Sequence, residues 1–226
     1  MLVSVLVLAI LTSAKTISQY YEKARLEPGM ELQTALNNML GSDSFRYRLH
    51  SGFTVNDRKE VISEVEGETQ NGNTHIKGEM VNTPVDIYYI NRTIYNYDSL
   101  SKKWLVIESG TTNSEEILIS ELNPLSNFRF NNLNQVEKVR FEIVDGAECL
   151  VVKCKPSVEG QLLDNLWKDF EYQIWIDYHN DNIRKATLTA TNKRNEKTNL
   201  EIQVEFSDFG KKIEITAPDR SSQNKN

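Results

Sequence analysis

The feature that most constrains this chain is a succession of short segments in which apolar and polar residues alternate, each closed by turn-forming residues. In "SFRYRLHSGFTV" (44–55), Phe45, Tyr47, Leu49, Phe53 and Val55 fall on one side of an extended chain and Arg46, Arg48 and His50 on the other. A period of two sends alternate side chains to opposite faces of a strand, so the pattern predicts a strand with one dry and one wet face. "EVISEVEGET", "THIKGEMVN", "VDIYYIN", "TIYNY" and "KWLVIES" follow at short intervals, separated by Asn-Gly, Asn-Thr-Pro, Asn-Arg and "DSLSKK". That spacing is the signature of a meander of antiparallel hairpins. Further on, "QVEKVRFEIVDGAECLVVKC" predicts a hairpin turning at Asp145 and Gly146, and "RKATLTATNKR", "NLEIQVEFSDFG" and "KKIEITAP" complete a mainly β chain of α+β class.

Three segments interrupt the strands with helical periodicity. After Pro28 and Gly29, "ELQTALNNMLG" places Leu32, Ala35, Leu36, Met39 and Leu40 at helical spacing and ends on Gly41. "TNSEEILISELNPL" offers Asn113 or Ser114 as a cap, early acidic residues suited to a helix N-terminus, and a stop near Pro124. "PSVEGQLLDNLWKDF" spaces Leu162, Leu163, Leu166, Trp167 and Phe170 as a helix would. The last two are expected to pack on the sheet.

The start of the chain is different in kind. "MLVSVLVLAILTSA" is apolar from Leu2 to Leu11 and turns to small residues before Lys15, as in the core and cleavage region of a secretory signal. Its apolar part is too short to cross a bilayer of roughly 30 Å, and no basic residue precedes it. Residues 1–14 are therefore read as a signal peptide or short membrane anchor, 15–29 as a linker or helical lead-in, 30–218 as one domain and 219–226 as a loose tail. An extracytoplasmic location follows, secreted or held at the membrane by the N-terminal segment. Lys and Arg total 26 against 32 Asp and Glu, a net charge of −6 without a basic stripe, which argues against nucleic acid as a partner. Cys149 and Cys154 lie in one β-branched run, about 16 Å apart if extended, so no disulfide is expected and the thiols should pack on opposite strand faces.

Reactive chemistry finds little purchase. Asp177, His179 and Asp181 are spaced two apart, but "HNDN" reads as a turn after a strand whose apolar face is Phe170, Tyr172, Ile174, Ile176 and Tyr178. An exposed turn offers a metal neither enclosure nor supporting hydrogen bonds, so each of the three is expected to accept alanine at about 0.5 kcal/mol or less. His50 and His75 have no carboxylate or nucleophile beside them in sequence, "SDFG" (207–210) reads as a strand end and turn, and "NRT" (91–93) fits a glycosylation acceptor. No catalytic residue, metal site or cofactor is expected, and a non-enzymatic protein is the stronger reading.

The layout as a whole resembles a family. An N-terminal amphipathic helix, a meander containing "IYNY" and "KKWLVIES", inserted helices, then "YQIWIDYHNDNIRKATLTAT" and "EIQVEFSDFGKKIEITAP" are similar in order to the LolA/LolB fold, and in particular to LppX-type and other LolA-like envelope lipoproteins. The resemblance covers roughly residues 30–218. It implies a strongly curved antiparallel half-barrel of about ten to eleven strands, its concave face covered by a few helices. It also implies an apolar cavity for acyl chains of lipids or acylated proteins. Family members of the LppX type carry an acylated N-terminal Cys, which this sequence lacks. The inward positions offered for such a cavity are Phe45, Tyr47, Leu49, Phe53, Ile76, Ile87, Tyr89, Trp104, Ile174, Ile176 and Leu188. Two readings follow: a lipid or lipoprotein carrier with an open cavity, or an envelope sensor or interaction domain, like regulators of the RseB type, with a filled core and a protein partner.

Overall fold

The computed structural model describes residues 17–56, 58–108, 130–133, 135–158 and 165–219. The N-terminal run 1–14, the helix expected around 113–124 and the tail beyond 219 lie outside them. Helices α1 (17–25) and α2 (Pro28–Leu40) precede the strands. The strands are β1 (Ser44–Val55), β2 (Arg58–Gln70), β3 (Asn73–Met80), β4 (Thr83–Ile90), β5 (Thr93–Asp98), β6 (Lys103–Glu108), β7 (Phe130–Asn132), β8 (Glu137–Val144), β9 (Ala147–Cys154), β10 (Ser157–Val158), β11 (Trp167–Asp177), β12 (Asn182–Asn192) and β13 (Thr198–Ser207).

Among the described residues the strands build one eleven-stranded antiparallel sheet in the order β6-β5-β4-β3-β2-β1-β13-β12-β11-β9-β8, with β7 and β10 as a separate pair. The sheet does not close, so β6 and β8 are its edges. The chain thus makes the mainly β half-barrel expected of it. Its hairpins are set by tight turns in which both central residues have positive φ: Asn71 and Gly72, Val81 and Asn82, Asn91 and Arg92, Asp145 and Gly146. Such turns match the right-handed twist of paired strands, which explains the Asn, Asp and Gly in most of them. Val81 is the costly exception, because a β-branched residue crowds its own backbone there.

Helix α2 begins with Pro28 at a first-turn position, where the missing N–H is not needed, and Gly41 closes it with a bond from its amide to the Asn37 carbonyl. Its apolar stripe, Leu32, Ala35, Leu36 and Met39, is buried against the sheet half formed by β8, β9, β11 and β12. There it meets Phe45, Tyr47, Leu150, Val152, Cys154, Tyr172, Ile174, Ile176, Leu188 and Phe206 in the main core.

The expected helix at 156–170 is corrected in its last part. Residues 165 and 166 are helical, but Trp167 opens β11, and Trp167 and Phe170 pack with Ala190 and Leu200 on the inner face. Register slips between Lys168 and Glu171, where Asp169 has φ 57. A bulge inserts an extra residue into a strand, so two apolar residues three apart can share a sheet face and imitate helical spacing. Cys149 packs with Val151 and Trp175 on the outer face and Cys154 in the inner core, and both are free thiols.

Candidate functional site

The inner face divides into two halves. Under α2 the apolar side chains of β1, β9 and β11–β13 are closed off: Ile174 and Ile176 are 0 % exposed and Leu188 is 3 %. Beyond β1 the same face continues as a smaller cluster, made among the described residues by strands: Val65 and Ile76 with Leu49, Met80, Val85 and Ile87 around them. Toward the β6 edge it opens further, with Leu105 50 % and Ile107 39 % exposed and Tyr89 half-buried.

Register places these residues in rows. Across the strands, Leu49 faces Val65, Val65 faces Gly78 and Gly78 faces Val85; one row along, Tyr47, Gly67, Ile76, Ile87, Asn96 and Leu105 face one another in turn. Two glycines shape this surface. The Tyr47 ring lies on Gly67, where a Cβ would come within 2.1 Å of its Cζ, and burial pushes the Tyr47 hydroxyl pKa upward. At Gly78, φ is +151 and a Cβ would meet the Glu64 carbonyl oxygen at 2.1 Å. At both positions the absent side chain lets a neighbour approach closely, the Tyr47 ring at Gly67 and the β2 backbone at Gly78.

The positions expected from sequence to line one cavity are thus separated. Phe45, Tyr47, Ile174, Ile176 and Leu188 are consumed in packing with α2, and Phe53 joins Trp167, Ala190 and Leu200. Leu49, Ile76, Ile87 and Tyr89 remain on the half without α2. Trp104 is corrected: it lies on the opposite, outer face, paired with Tyr97 and in ring contact with Tyr88 at 5.5 Å and Tyr97 at 5.1 Å. The loops 71–72, 81–82, 91–92 and 99–102 all hold an even number of residues, so the inward parity flips at every strand from odd in β2 to odd again in β6. Counting those loops sends Trp104 outward and Leu105 and Ile107 inward. The sequence reading missed Val65, Val85, Leu105 and Ile107, and the same count would have found them.

The outer face is a ladder of charges. Arg46 pairs with Glu68 and Asp208, Arg48 with Glu66, and His50 lies 3.2 Å from Glu64. His75, which has no carboxylate beside it in sequence, finds two across the strands: Asp86 at 2.9 Å and Glu68 at 3.6 Å, with its ring stacked on Tyr88. Two open depressions of about 520 and 530 Å³ border this ladder. Each carboxylate named in it lies against an arginine or a histidine, which is the arrangement of a solvated sheet face.

The reading of the turn at 177–182 is corrected at one residue. Asp177 is 1 % exposed; Arg184 donates to its Oδ2 from Nε at 3.2 Å and Nη2 at 2.9 Å, and the Asn180 side chain donates at 2.9 Å. Burial raises its pKa, but the bonds from Asn180 and Arg184 outweigh it and hold the carboxyl below its ordinary value. Asp177 therefore ties the turn to β12 and is no surface site. His179 is exposed, and among the described residues no three His, Cys, Asp or Glu side chains cluster as a metal would require.

No protein-family model and no curated protein matches the sequence. Solved structures do. LprF from Mycobacterium bovis superposes with a TM-score of 0.56 at 15 % identity, over 84 % of this chain and 96 % of that one. The lipoprotein LppX from Mycobacterium tuberculosis superposes with a TM-score of 0.57 at 12 % identity, over 83 % and 97 %. The chain accordingly has the LolA-like fold that its layout resembles. Among the described residues no helix is long and apolar enough to cross a membrane.

Proposed function

We propose that this chain is a non-catalytic binder or carrier of an acyl chain, presented by a lipid or an acylated protein, and that it works outside the cytoplasm. One observation carries the reading: apolar side chains of the inner face continue past the half sealed by α2 onto β2–β6, where Ile87 and Tyr89 are half-buried and Leu105 and Ile107 open to solvent. Covering such a surface with methylenes yields about 0.8 kcal/mol each, enough for affinity without polar chemistry. The likeness of fold to the lipoprotein LppX agrees with this reading, and the apolar run Leu2–Leu11 supports export or anchoring.

A protein-interaction domain with a filled core is the second reading, favoured by the close packing beneath α2, where Leu32, Ala35 and Met39 are 0 % exposed. Native mass spectrometry of the protein purified from membranes separates the two. A retained lipid mass supports the carrier, and a bare chain that also takes up no fluorescent fatty acid leaves the interaction domain.

A further inference from the structure

Helix α1 carries an apolar stripe that the domain does not use. Ile17, Tyr20 and Tyr21 are 56, 73 and 61 % exposed, and Ala24 is exposed with them. Spacings of three and four set the four residues on one side of the helix. Attachment runs through other groups: Lys23 donates to Glu148 on β9, and Lys138 on β8 donates to the Lys23 carbonyl oxygen at 2.7 Å. A helix on a soluble domain ordinarily turns its apolar stripe toward the core. Here the polar side is pinned to the sheet and the aromatic side is turned out.

Two features identify what covers that side. Tyrosine joins an apolar ring to a hydroxyl, the combination that settles at the headgroup level of a bilayer. The chain immediately before α1 leads back to the apolar run Leu2–Leu11, and Lys15 and Arg25 flank the stripe with charges suited to anionic lipids. The geometry points to α1 as an interfacial helix, lying in the plane of a lipid bilayer with its Ile-Tyr-Tyr-Ala side sunk into the boundary. The links of Lys23 and Lys138 then hold the β8–β9 edge of the domain at the membrane surface. This assignment is independent of whether the inner face binds an acyl chain.

The test uses full-length protein labelled with an environment-sensitive fluorophore at single added cysteines, with unmodified protein treated in parallel because Cys149 and Cys154 are buried. Labels are placed on the stripe by Ile17→Cys, Tyr20→Cys or Tyr21→Cys, off it by Gln19→Cys or Glu22→Cys, and far from it by Leu100→Cys, at a residue 94 % exposed in the β5–β6 loop. On vesicles of phosphatidylcholine and phosphatidylglycerol, the stripe positions should shift to the blue and be quenched by brominated acyl chains, while the other positions stay in water. That helical period is what a mere tether through residues 1–14 would not produce. The proposal is overturned if vesicle-bound protein keeps all α1 labels in water, if on-stripe and off-stripe labels respond alike, or if the stripe labels become buried with rising protein concentration in the absence of vesicles, which would assign the face to a second copy of the chain.

Discussion

The halves of the sheet on either side of β1 are written in the same alternating code and meet different partners. On the β8–β13 side α2 lays Leu32, Ala35, Leu36 and Met39 onto the inner face, and the residues beneath are sealed to a few per cent exposure. On the β2–β6 side the inner cluster is, among the described residues, made by strands, with Val65 and Ile76 3 % exposed, and beyond it at β6 Leu105 and Ile107 are 50 and 39 % exposed. The lesson is that period-two alternation assigns a residue to a face and says nothing about what that face will touch. A core and a binding surface are spelled identically until the third layer is placed.

The contrast is broken most severely by charge. Ile174→Asp puts a carboxylate at a site that is 0 % exposed beneath α2. An unpaired buried charge there should cost about 4–5 kcal/mol or more, enough to abolish the cooperative unfolding transition in urea. Ile107→Asp, at a 39 % exposed site on the other half, should leave that transition in place and remove uptake of a fluorescent fatty acid. Equal losses of stability would mean that the two halves are one closed core.

Asp177→Ala comes next. Removing the buried carboxylate takes away three side-chain hydrogen bonds from Asn180 and Arg184, the latter 26 % exposed, and should cost roughly 1–3 kcal/mol by denaturant titration at neutral pH. Because the folded carboxyl titrates below its unfolded value, its contribution is fully present above about pH 4 and is lost as pH falls through the folded pKa. The wild type should therefore lose stability over that acid window more steeply than Asp177→Ala does. Matching acid profiles would remove Asp177 from the account of the turn.

Much of this was legible in the residues themselves. Turn dipeptides such as Asn71-Gly72 and Asp145-Gly146 locate the hairpins, and the odd separation of five residues from Cys149 to Cys154 puts the thiols on opposite faces as found. Trp104, expected inward, is sent outward by the even loop lengths between β2 and β6. Bulges are harder: the irregularities at Lys168–Glu171 and Trp175–Ile176 shift register without a sequence mark of their own, so Trp167 and Phe170 imitate a helix and the Asp177–Arg184 pair is hidden in what looks like a polar turn. The division of the inner face into sealed and open halves depends on where α2 docks, a tertiary choice that no local pattern records.

A smaller effect sharpens the comparison at Ile87. On an open face Ile87→Trp adds volume toward solvent and should change stability by less than about 1 kcal/mol while blocking a bound chain, whereas in a filled core the same overpacking costs roughly 1–3 kcal/mol. Thermal unfolding and probe uptake are measured on the same sample. A destabilised variant of a wild type that never took up the probe would make the β2–β6 half a second packed core.

The smallest effects are expected from two neighbours in sequence. Leu105 and Trp104 are adjacent in β6, and alternation sends Leu105 to the inner face opposite Asn96 and Trp104 to the outer face opposite Tyr97. Leu105 is 50 % exposed, so Leu105→Ser should move stability by about 0.5 kcal/mol or less, yet it removes apolar surface from the proposed path of the acyl chain and should weaken uptake. Trp104→Leu forfeits ring contacts with Tyr88 and Tyr97 worth about 0.5–1.5 kcal/mol, so it should destabilise the more of the two while leaving uptake at the wild-type level. The variant that costs more stability is the one that should not touch binding, which separates a face-specific effect from general loosening of the β6 edge. If Trp104→Leu lowers uptake as much as Leu105→Ser does, the ligand does not distinguish the faces of the sheet, and the inner face of β2–β6 is not where it binds.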